Sequence, residues 1–319
     1  MGLMLRSVQL PTLEFATPRK LPKPKEVQGR VVVVDVAFAS EASGGGFQKI
    51  TLPFIQGLGN RLAAWVDHHD HAKHVDYARD PRFVLATKAQ HGACPEMITE
   101  EIVQRAGRID SIVCHTDFDG LASAAKWIRG GAEPYPGCDA DARAIDTRMG
   151  VPGPFAVRMD RAIRARYRDR GLLGLIVRHL ATGLEDKSLW SPIDEAAQEL
   201  ERIETKTRQV AERYRIVEAK PGGVVRNIAF ADATDMHGQY DKTMLLLMGQ
   251  ERAHAAVLVD RDTLSLAAPF DSGINFLNVM GLSGGMPTLV SVPKTQLAVA
   301  LARLGIGDND ARPLIEAVG

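Results

Sequence analysis

Long apolar runs, paired cysteines and an excess of charge of one sign are all missing from this 319-residue sequence. No apolar stretch approaches the roughly 18 to 20 residues that a membrane-spanning helix needs, so we expect no membrane partner. The three cysteines, Cys94, Cys114 and Cys138, are an odd number at spacings that match no thiolate metal site. Such usage is typical of a reducing compartment, and the sequence therefore predicts a cytoplasmic protein.

The balance of charge and the scarcity of aromatic residues narrow the class of partner. Lysine plus arginine and aspartate plus glutamate each number 39, and aromatic residues make up 6% of the chain. A neutral chain has no overall positive field for binding long nucleic acids, and few aromatic residues give little support for a base-stacking channel. We therefore expect a small anionic partner.

Strand and helix patterns alternate in the first half of the chain, which is typical of a parallel α/β sheet with functional loops at the carboxyl ends of its strands. A helical stretch without strand signals follows. Strands then return in the last third and predict a second, smaller α/β domain with a mixed sheet. The apolar runs that predict strands are 31–36, 62–66, 83–86 and 109–114 in the first half, and 224–230, 255–259 and 263–267 in the last third.

These patterns divide the sequence into four predicted parts. Residues 1–29, which are rich in proline and lysine from Pro18 onward, are predicted to be a flexible leader. Residues 30–153 are predicted to form the parallel-sheet domain, 154–219 a helical connector with many charged residues, and 220–319 the second domain. Each half is long enough to bury a core of its own.

Histidines are concentrated in one short part of the chain. Six of the nine lie between residues 68 and 115, most of them close to aspartates at the ends of predicted strands. If residues 115–119 are extended, alternation places His115, Asp117 and Asp119 on one side, so that three ligands converge. Two further aspartates, Asp35 and Asp146, end apolar segments, where an unpaired carboxylate is unfavourable.

Mixed imidazole and carboxylate ligands without thiolates indicate a particular group of metals. They suit Mn²⁺, Fe²⁺ or Co²⁺, and suit less well the all-oxygen sites that Mg²⁺ and Ca²⁺ prefer. Taken singly, each aspartate after a strand is typical of a turn or a helix cap. Taken together within one domain, the histidines and aspartates predict a metal site, for which Mn²⁺ is our first choice.

Two segments resemble signature motifs of the DHH phosphoesterase superfamily: Asp67-His68-His69, and HTDFDGLASAA at residues 115–125. That superfamily includes manganese pyrophosphatases, exopolyphosphatases, single-strand exonucleases, nanoRNases and cyclic-dinucleotide phosphodiesterases. The resemblance implies a hydrolase with two divalent cations, Mn²⁺ first and Co²⁺ or Mg²⁺ as alternatives. It also implies a small anionic phosphate substrate.

The resemblance also implies a role for each residue. His115 and Asp117 would hold one ion, and His68 and Asp119 would hold the other. Asp35 would bridge both ions. The remaining roles are that Asp146 completes the shell of the second ion, Asp67 orients His68, and His69 faces the substrate phosphate.

The motif order departs from the usual family arrangement, because Asp35 and the DHH segment precede HTDFDG. The first domain therefore resembles a circularly permuted one, and permutation preserves a site when the chain ends lie close together. Asp139 and Asp141 compete with Asp146 for the last ligand position. The extra pair Asp70-His71 has two open interpretations, namely surface solvation and an additional ligand.

The last third contains a segment that resembles the DHH-associated C-terminal domain, in which a glycine-rich turn contacts the substrate. Here the turn is Ser283-Gly284-Gly285-Met286, and an ordinary turn into a strand is the alternative. Family members often have a histidine after the glycines and an arginine near the preceding serine, where this sequence has Met286 and Asp271-Ser272. Lys242, at the start of a predicted helix, and Asn275 are further candidates for substrate contact, with a solvated lysine as the alternative for Lys242.

Together these observations predict hydrolysis of a phosphoester in a small nucleotide or a short single-stranded oligonucleotide by metal-bound hydroxide. Pyrophosphate or polyphosphate hydrolysis is the alternative within enzymes. An inactive nucleotide-sensing or nucleic-acid-binding module is the alternative of another class. A homodimer is left open as a further partner.

Overall fold

The computed structural model describes residues 10–236 and 239–318. It confirms the predicted fold class, because a five-stranded parallel sheet is followed by a helical region and then by a separate mixed sheet. Within the described ranges, no helix is both long and apolar enough to cross a membrane. The strands are β1 (Thr12–Phe15), β2 (Val31–Val34), β3 (Leu62–Asp67), β4 (Asp70–His71), β5 (Phe83–Leu85), β6 (Ser111–Cys114), β7 (Arg215–Glu218), β8 (Asn227–Asp232), β9 (Ala255–Asp260), β10 (Thr263–Ala267), β11 (Gly284–Gly285) and β12 (Leu289–Pro293). The helices are α1 (Leu52–Leu58), α2 (His74–Tyr77), α3 (Glu100–Ala106), α4 (Phe118–Ile128), α5 (Cys138–Thr147), α6 (Pro154–Ala165), α7 (Arg170–Ala181), α8 (Trp190–Ala211), α9 (Lys242–Gln250), α10 (Phe276–Met280), α11 (Leu297–Leu304) and α12 (Asp308–Val318).

The first sheet has the strand order β1-β6-β2-β3-β5, and every neighbouring pair is parallel. Its centre is the valine run of β2, in which all four side chains are buried. Val31 and Val33 pack with α1 on one face, whereas Val32 and Val34 pack with α4, α6 and α7 on the other. Continuous apolar strands of this kind need helices on both faces, and the carboxyl ends of β6, β2 and β3 are left as neighbours at one edge.

The helical region belongs to both cores. Met159 of α6 and Ile176 of α7 lie in the core of the first sheet. Helix α8 has 22 residues, a length of about 33 Å. It contributes Ile193 and Ala196 near its start to the first core, and Val210 near its end to the core beneath the second sheet. Helix α8 therefore connects the two sheets by packing into both cores.

The second sheet has the strand order β12-β10-β9-β8-β7, in which only β8 and β9 are parallel. The predicted boundary at residue 220 is wrong, because β7 (Arg215–Glu218) already pairs with β8. That strand is largely exposed at an edge and has only two apolar residues, Ile216 and Val217, so its sequence carries little strand signal. The predicted helix that begins at Lys242 is α9.

The prediction of a flexible leader is wrong for residues 10–29, and residues 1–9 lie outside the described part of the chain. Strand β1 pairs in parallel register with β6 at the edge of the first sheet. The Arg61 guanidinium donates hydrogen bonds to the backbone carbonyls of Pro24 and Val27, at 2.7 Å in each case. A four-residue strand among prolines has too weak a local pattern to be recognised, and its pairing with β6 is long-range.

His179 is a buried titratable residue outside the histidine and aspartate cluster, and it predicts how stability depends on pH. Its side chain is fully buried in α7 against Trp190, and neither ring nitrogen has a hydrogen-bond partner among the described residues. Burial lowers the pKa of His179, so below its ordinary value of about 6.5 the unfolded chain binds a proton that the folded chain resists. We expect the free energy of unfolding to fall with decreasing pH through this range, by at most about 1.4 kcal/mol per pH unit from this residue.

The replacement His179→Leu should flatten that dependence. Urea unfolding of both proteins at pH 7.5 and pH 5.5 measures it. Equal losses of stability in the two proteins would show that other groups are responsible.

Candidate metal centre

The clustered aspartates and histidines come from the ends of three adjacent strands. Asp35 follows β2, His68 follows β3 and His115 follows β6. Because these strands are parallel neighbours, their carboxyl ends meet at one edge of the sheet, where ligands bind in open α/β folds. Residues far apart in the sequence are thereby brought into one cluster.

A first group of candidate ligands consists of Asp35, His115 and Asp117, whose ligand atoms all lie within 4.8 Å of one another. The Nδ1 atom of His115 is 2.6 Å from Oδ2 of Asp117 and 3.8 Å from Oδ2 of Asp35. One imidazole and two carboxylates at these distances can hold a divalent cation.

A second group consists of His68, Asp119 and Asp146. The Nε2 atom of His68 is 3.3 Å from Oδ2 of Asp119 and 3.9 Å from Oδ2 of Asp146. The same nitrogen is 3.2 Å from Oδ1 of Asp35, whose other oxygen faces the first group. All six residues nominated from the sequence as metal ligands therefore lie together, with Asp35 between the two groups.

Asp35 is the residue that most requires a cation. Its carboxylate is buried, neither oxygen has a hydrogen-bond partner within the described ranges, and its backbone φ is +58°, in the left-handed region. Burial, together with the charges of Asp119 and Asp117, raises its pKa well above the ordinary value. A buried carboxylate without hydrogen bonds is unfavourable unless a positive charge lies against it, so the first group fits a divalent cation.

The pKa of His115 is shifted by the same surplus of negative charge. Burial alone lowers its pKa, but the contact with Asp117 and the nearby charge of Asp35 outweigh burial and raise the pKa to about 10. A cation that binds His115 must displace this proton, because only the neutral ring ligates a metal.

Helix α4 determines how the second motif enters the cluster. Asp117 is its N-cap, and Oδ1 accepts a hydrogen bond of 3.2 Å from the backbone N–H of Gly120. The prediction of an extended segment is therefore wrong beyond Asp117, because the helix begins at Phe118. The first helical turn, and not strand alternation, carries Asp119 to the second group.

The structure corrects the role of Asp67. Its Oδ1 atom accepts a hydrogen bond of 2.8 Å from Nδ1 of His69, and not from His68 as predicted. The Nδ1 atom of His68 lies 2.9 Å from the backbone carbonyl of His91, which accepts its proton and leaves Nε2 facing the carboxylates. The side chains of Asp67 and His68 alternate along the end of β3, so the aspartate reaches the second-next residue.

Of the three aspartates considered for the last ligand position, two have other polar partners. Asp139 forms an ion pair with Lys126, and Asp141 accepts hydrogen bonds from the Tyr135 hydroxyl and the Gly153 backbone. Asp146, near the end of α5, is the aspartate of this segment that belongs to the second group.

Lys88 is part of the cluster and was not identified from the sequence. It lies in the turn after β5, is 2% exposed, and its ammonium group donates to Nε2 of His68 at 2.9 Å and to Oδ2 of Asp146. Burial lowers the pKa of Lys88, but the carboxylates of Asp146, Asp119 and Asp35 outweigh burial and raise it. The sequence offered one signal for Lys88, namely its position after a predicted parallel strand. That signal is weak, because most lysines in such turns are solvated.

The extra residues Asp70 and His71 dock the second domain. They form β4, which pairs antiparallel with Gly284 and Gly285 of β11. A Cβ atom on Gly284 would come within 2.2 Å of the His71 ring, so glycine is required for this approach. The interpretation of Asp70-His71 as surface residues is thus wrong for His71, which is buried.

A cavity of about 480 Å³ opens between the two domains beside the first group of ligands. His69, Gly284 and Gly285 line it, as do two cationic residues, Arg19 and Lys242. Both cations are held at Ser291, whose backbone carbonyl accepts from Arg19 at 3.0 Å and whose hydroxyl accepts from Lys242 at 3.2 Å. The lining of the cavity therefore includes a cationic wall, formed by Arg19 and Lys242, as well as residues of the acidic cluster.

Two other residues nominated for substrate contact have structural roles. Ser283 contacts the first domain, since its backbone N–H donates to Glu41 at 2.9 Å and its carbonyl accepts from Ala72 at 2.8 Å. Asn275 is the N-cap of α10, accepts from the backbone N–H of Asn278, and is outside the lining of the interdomain cavity.

A second cavity of about 230 Å³ lies on the other side of Met286 and Leu289. Asp117 and Asp146 belong to its wall as well, so both cavities reach the cluster. The remainder of its lining combines apolar residues, among them Leu246, Leu247 and Phe270 of the second domain, with charged ones that include Arg148 and Arg164. The cluster therefore lies between two cavities, each of which has both apolar and cationic side chains in its lining.

Comparison with known proteins adds no family assignment: no family model and no curated protein matches this sequence. The resemblance to the DHH phosphoesterases rests on the two motifs quoted above, and it stays a prediction.

Gly120 is a sensitive point of the cluster. A Cβ atom there would lie 2.8 Å from the His115 carbonyl oxygen and 3.0 Å from Oδ2 of Asp35. We expect Gly120→Ala to displace these ligands, lowering the affinity for Mn²⁺ by about tenfold or more and the stability by about 1–3 kcal/mol.

Isothermal titration with Mn²⁺ and urea unfolding measure the two effects. Gly174→Ala in α7 is the matched control, because a Cβ atom there has no heavy atom within 4 Å. That control should leave metal affinity unchanged and add about 0.5–1 kcal/mol of stability. Unchanged Mn²⁺ affinity in Gly120→Ala would contradict the placement of a metal at the first group.

Proposed function

We propose that this protein hydrolyses a phosphoester of a small nucleotide or short oligonucleotide with the help of a divalent cation. The observation that carries the proposal is the buried carboxylate of Asp35, which accepts no hydrogen bond from the described residues. It belongs to a His/Asp cluster that opens onto a cavity with a cationic wall. Acidic ligands hold a cation, and the cationic wall favours an anionic substrate next to it.

The donor set supports Mn²⁺ first, with Co²⁺ or Mg²⁺ as alternatives, because imidazole and carboxylate ligands are mixed and thiolates are missing from the cluster. When bound, such an ion polarises a phosphoryl oxygen and makes a water acidic enough to provide hydroxide near neutral pH. Asp35 belongs to the first group, and its Oδ1 atom is 3.2 Å from Nε2 of His68 in the second, so two adjoining ligand groups support the expectation of two cations. The Lys88 ammonium, however, lies in the second group, so the first group is the position on which the proposal depends.

Residues of the protein itself would transfer a proton and orient the substrate. Asp67 accepts the Nδ1 proton of His69, which leaves Nε2 of the neutral ring as the nitrogen that can exchange a proton. Burial lowers the pKa of His69 despite the nearby carboxylate, so the ring is suited to take up a proton and return it to a departing oxygen. Lys242 and Arg19 line the same cavity as His69, and their cationic side chains would bind phosphate oxygens of the substrate.

The apolar residues in the second cavity support an organic phosphoester over pyrophosphate as the substrate. Pyrophosphate carries no group that would bury Leu246, Leu247 or Phe270, whereas a nucleobase or sugar would. A phosphoryl group held at the cluster could therefore place its organic substituent on the apolar side.

The proposal is tested by removing one charge from the first group. We expect Asp117→Asn to lower kcat/KM on the order of 100-fold or more, since a metal ligand is lost while the side-chain oxygen can still cap α4. Metal-stripped protein is reloaded with Mn²⁺ and given pyrophosphate, polyphosphate, adenosine bisphosphate, cyclic dinucleotides and RNAs of two to five residues, and phosphate or nucleotide release is measured.

Asp169→Asn is the matched control, because Asp169 is likewise an N-cap, at α7, and lies outside the cluster. It should retain full activity. Hydrolysis of pyrophosphate or polyphosphate alone would replace the proposal with the alternative enzyme. Tight nucleotide binding without turnover by the Mn²⁺-loaded protein would instead indicate a sensing module.

Phe270 separates organic from inorganic substrates. We expect Phe270→Ala to raise KM for the best nucleotide substrate about tenfold, which corresponds to about 1.4 kcal/mol of lost apolar contact. Steady-state kinetics should show no change with pyrophosphate or polyphosphate, if the protein also hydrolyses either of these inorganic anhydrides. An equal change for both kinds of substrate would exclude the second cavity as the site of the organic group.

A further inference from the structure

The position of Lys88 bears on how many metal ions the cluster holds. The ammonium group is buried among the three residues of the second ligand group and donates to two of them, His68 and Asp146. It belongs to neither cavity lining. Lys88 therefore contacts the candidate ligands and not the space in which a substrate would lie.

A divalent ion in the second group would need the space that Lys88 occupies. Such an ion would have to contact Nε2 of His68 and Oδ2 of Asp146, which are 3.9 Å apart. Metal–ligand distances of about 2.0–2.2 Å place it close to the midpoint of these atoms. The Lys88 nitrogen already contacts both atoms from the same region, and an ammonium has no lone pair with which to ligate a metal.

The charge of Lys88 also replaces part of what a second ion would supply. Asp35, Asp119 and Asp146 surround this region, and burial of their charges needs a positive partner. The ammonium provides one unit of positive charge together with directed hydrogen bonds. Adding a divalent ion beside it would place two cations against each other in a buried site.

The backbone holds Lys88 at this position. Its N–H donates a hydrogen bond of 3.2 Å to Oδ2 of Asp70 in β4, the strand that pairs with β11 of the second domain. The turn is also closed by Thr87, whose backbone N–H donates to the Gln90 side chain at 2.9 Å and whose carbonyl accepts from the Gln90 backbone at 3.0 Å. Withdrawing the side chain would leave the buried carboxylates unpaired.

We infer that the Lys88 ammonium stands in place of the second divalent cation, so that the centre binds one metal ion per chain, in the group of Asp35, His115 and Asp117. This inference rests on the proposed function for the presence of a metal, and it departs from the two-cation expectation drawn from the DHH resemblance. Lys88 is accordingly a positioning residue that keeps His68, Asp119 and Asp146 in place.

The test is a metal count on the full chain. Protein is stripped, dialysed against excess Mn²⁺ and analysed by elemental mass spectrometry, with electron paramagnetic resonance as a second measurement. We expect one Mn²⁺ and an uncoupled signal in the unaltered protein and in Lys88→Arg. We expect two Mn²⁺ with a spin-coupled signal in Lys88→Met, which opens the second group without adding a charge.

Lys126→Met is the matched control, since Lys126 is also buried and paired with an aspartate, Asp139, outside the cluster. It should bind one Mn²⁺. Circular dichroism confirms folding, and Lys88→Gln replaces Lys88→Met if the latter does not fold.

The outcomes separate this inference from the proposed function. Two coupled Mn²⁺ in the unaltered protein, with hydrolysis intact, would overturn the inference alone. One Mn²⁺ in both the unaltered protein and folded Lys88→Met would also overturn it, because Lys88 would not be what excludes the second ion. Absence of Mn²⁺ binding and of hydrolysis in the unaltered protein would overturn the proposed function and the inference together.

Discussion

Buried negative charge at the ends of three parallel strands is the constraint on which the rest of this structure depends. Asp35 lies between two groups of aspartates and histidines, with no hydrogen bond to either of its oxygens among the described residues. Folding can bury such a carboxylate only if positive charge is close, and the cluster draws on histidine protons and on the Lys88 ammonium. The same surplus of negative charge makes the first group suited to a divalent cation. The buried negative charge thus affects both the stability of the fold and the proposed binding of a cation.

The second domain completes the site without contributing to the candidate ligands. Its glycine turn pairs with Asp70 and His71, immediately after the DHH segment, while Lys242 and the apolar residues of α9 face the cluster across the cavities. Packing of α8 into both cores limits how freely the two sheets can move. Strand β4, which pairs with the second domain, also accepts a hydrogen bond from the Lys88 backbone through the Asp70 side chain. The second domain and the second ligand group are thus linked through β4.

Elements with a strong local sequence pattern could be predicted, whereas features that depend on long-range contacts could not. The strands around Val31–Val34 and Ser111–Cys114 could be predicted because short apolar segments with β-branched side chains are typical of parallel strands. Strand β1 could not, because four residues among prolines become a strand only by pairing with β6, about a hundred residues away. The partner of Asp67 was wrong for a related reason: adjacent residues in a strand point to opposite sides, so Asp67 meets His69 and not His68.

The sequence by itself determined the fold class, the residue types of the candidate centre and the strand ends at which they lie, because periodicity and composition are properties of short segments. Only the tertiary structure decided which aspartate of 139, 141 and 146 joins the cluster, that Asp35 has no hydrogen-bond partner in the described part of the chain, and that Lys88 lies in the second ligand group. These outcomes depend on which strand ends become neighbours and on how buried charges are shared among residues distant in the chain. No local pattern encodes that distribution, since the energy of each charge depends on all the others around it.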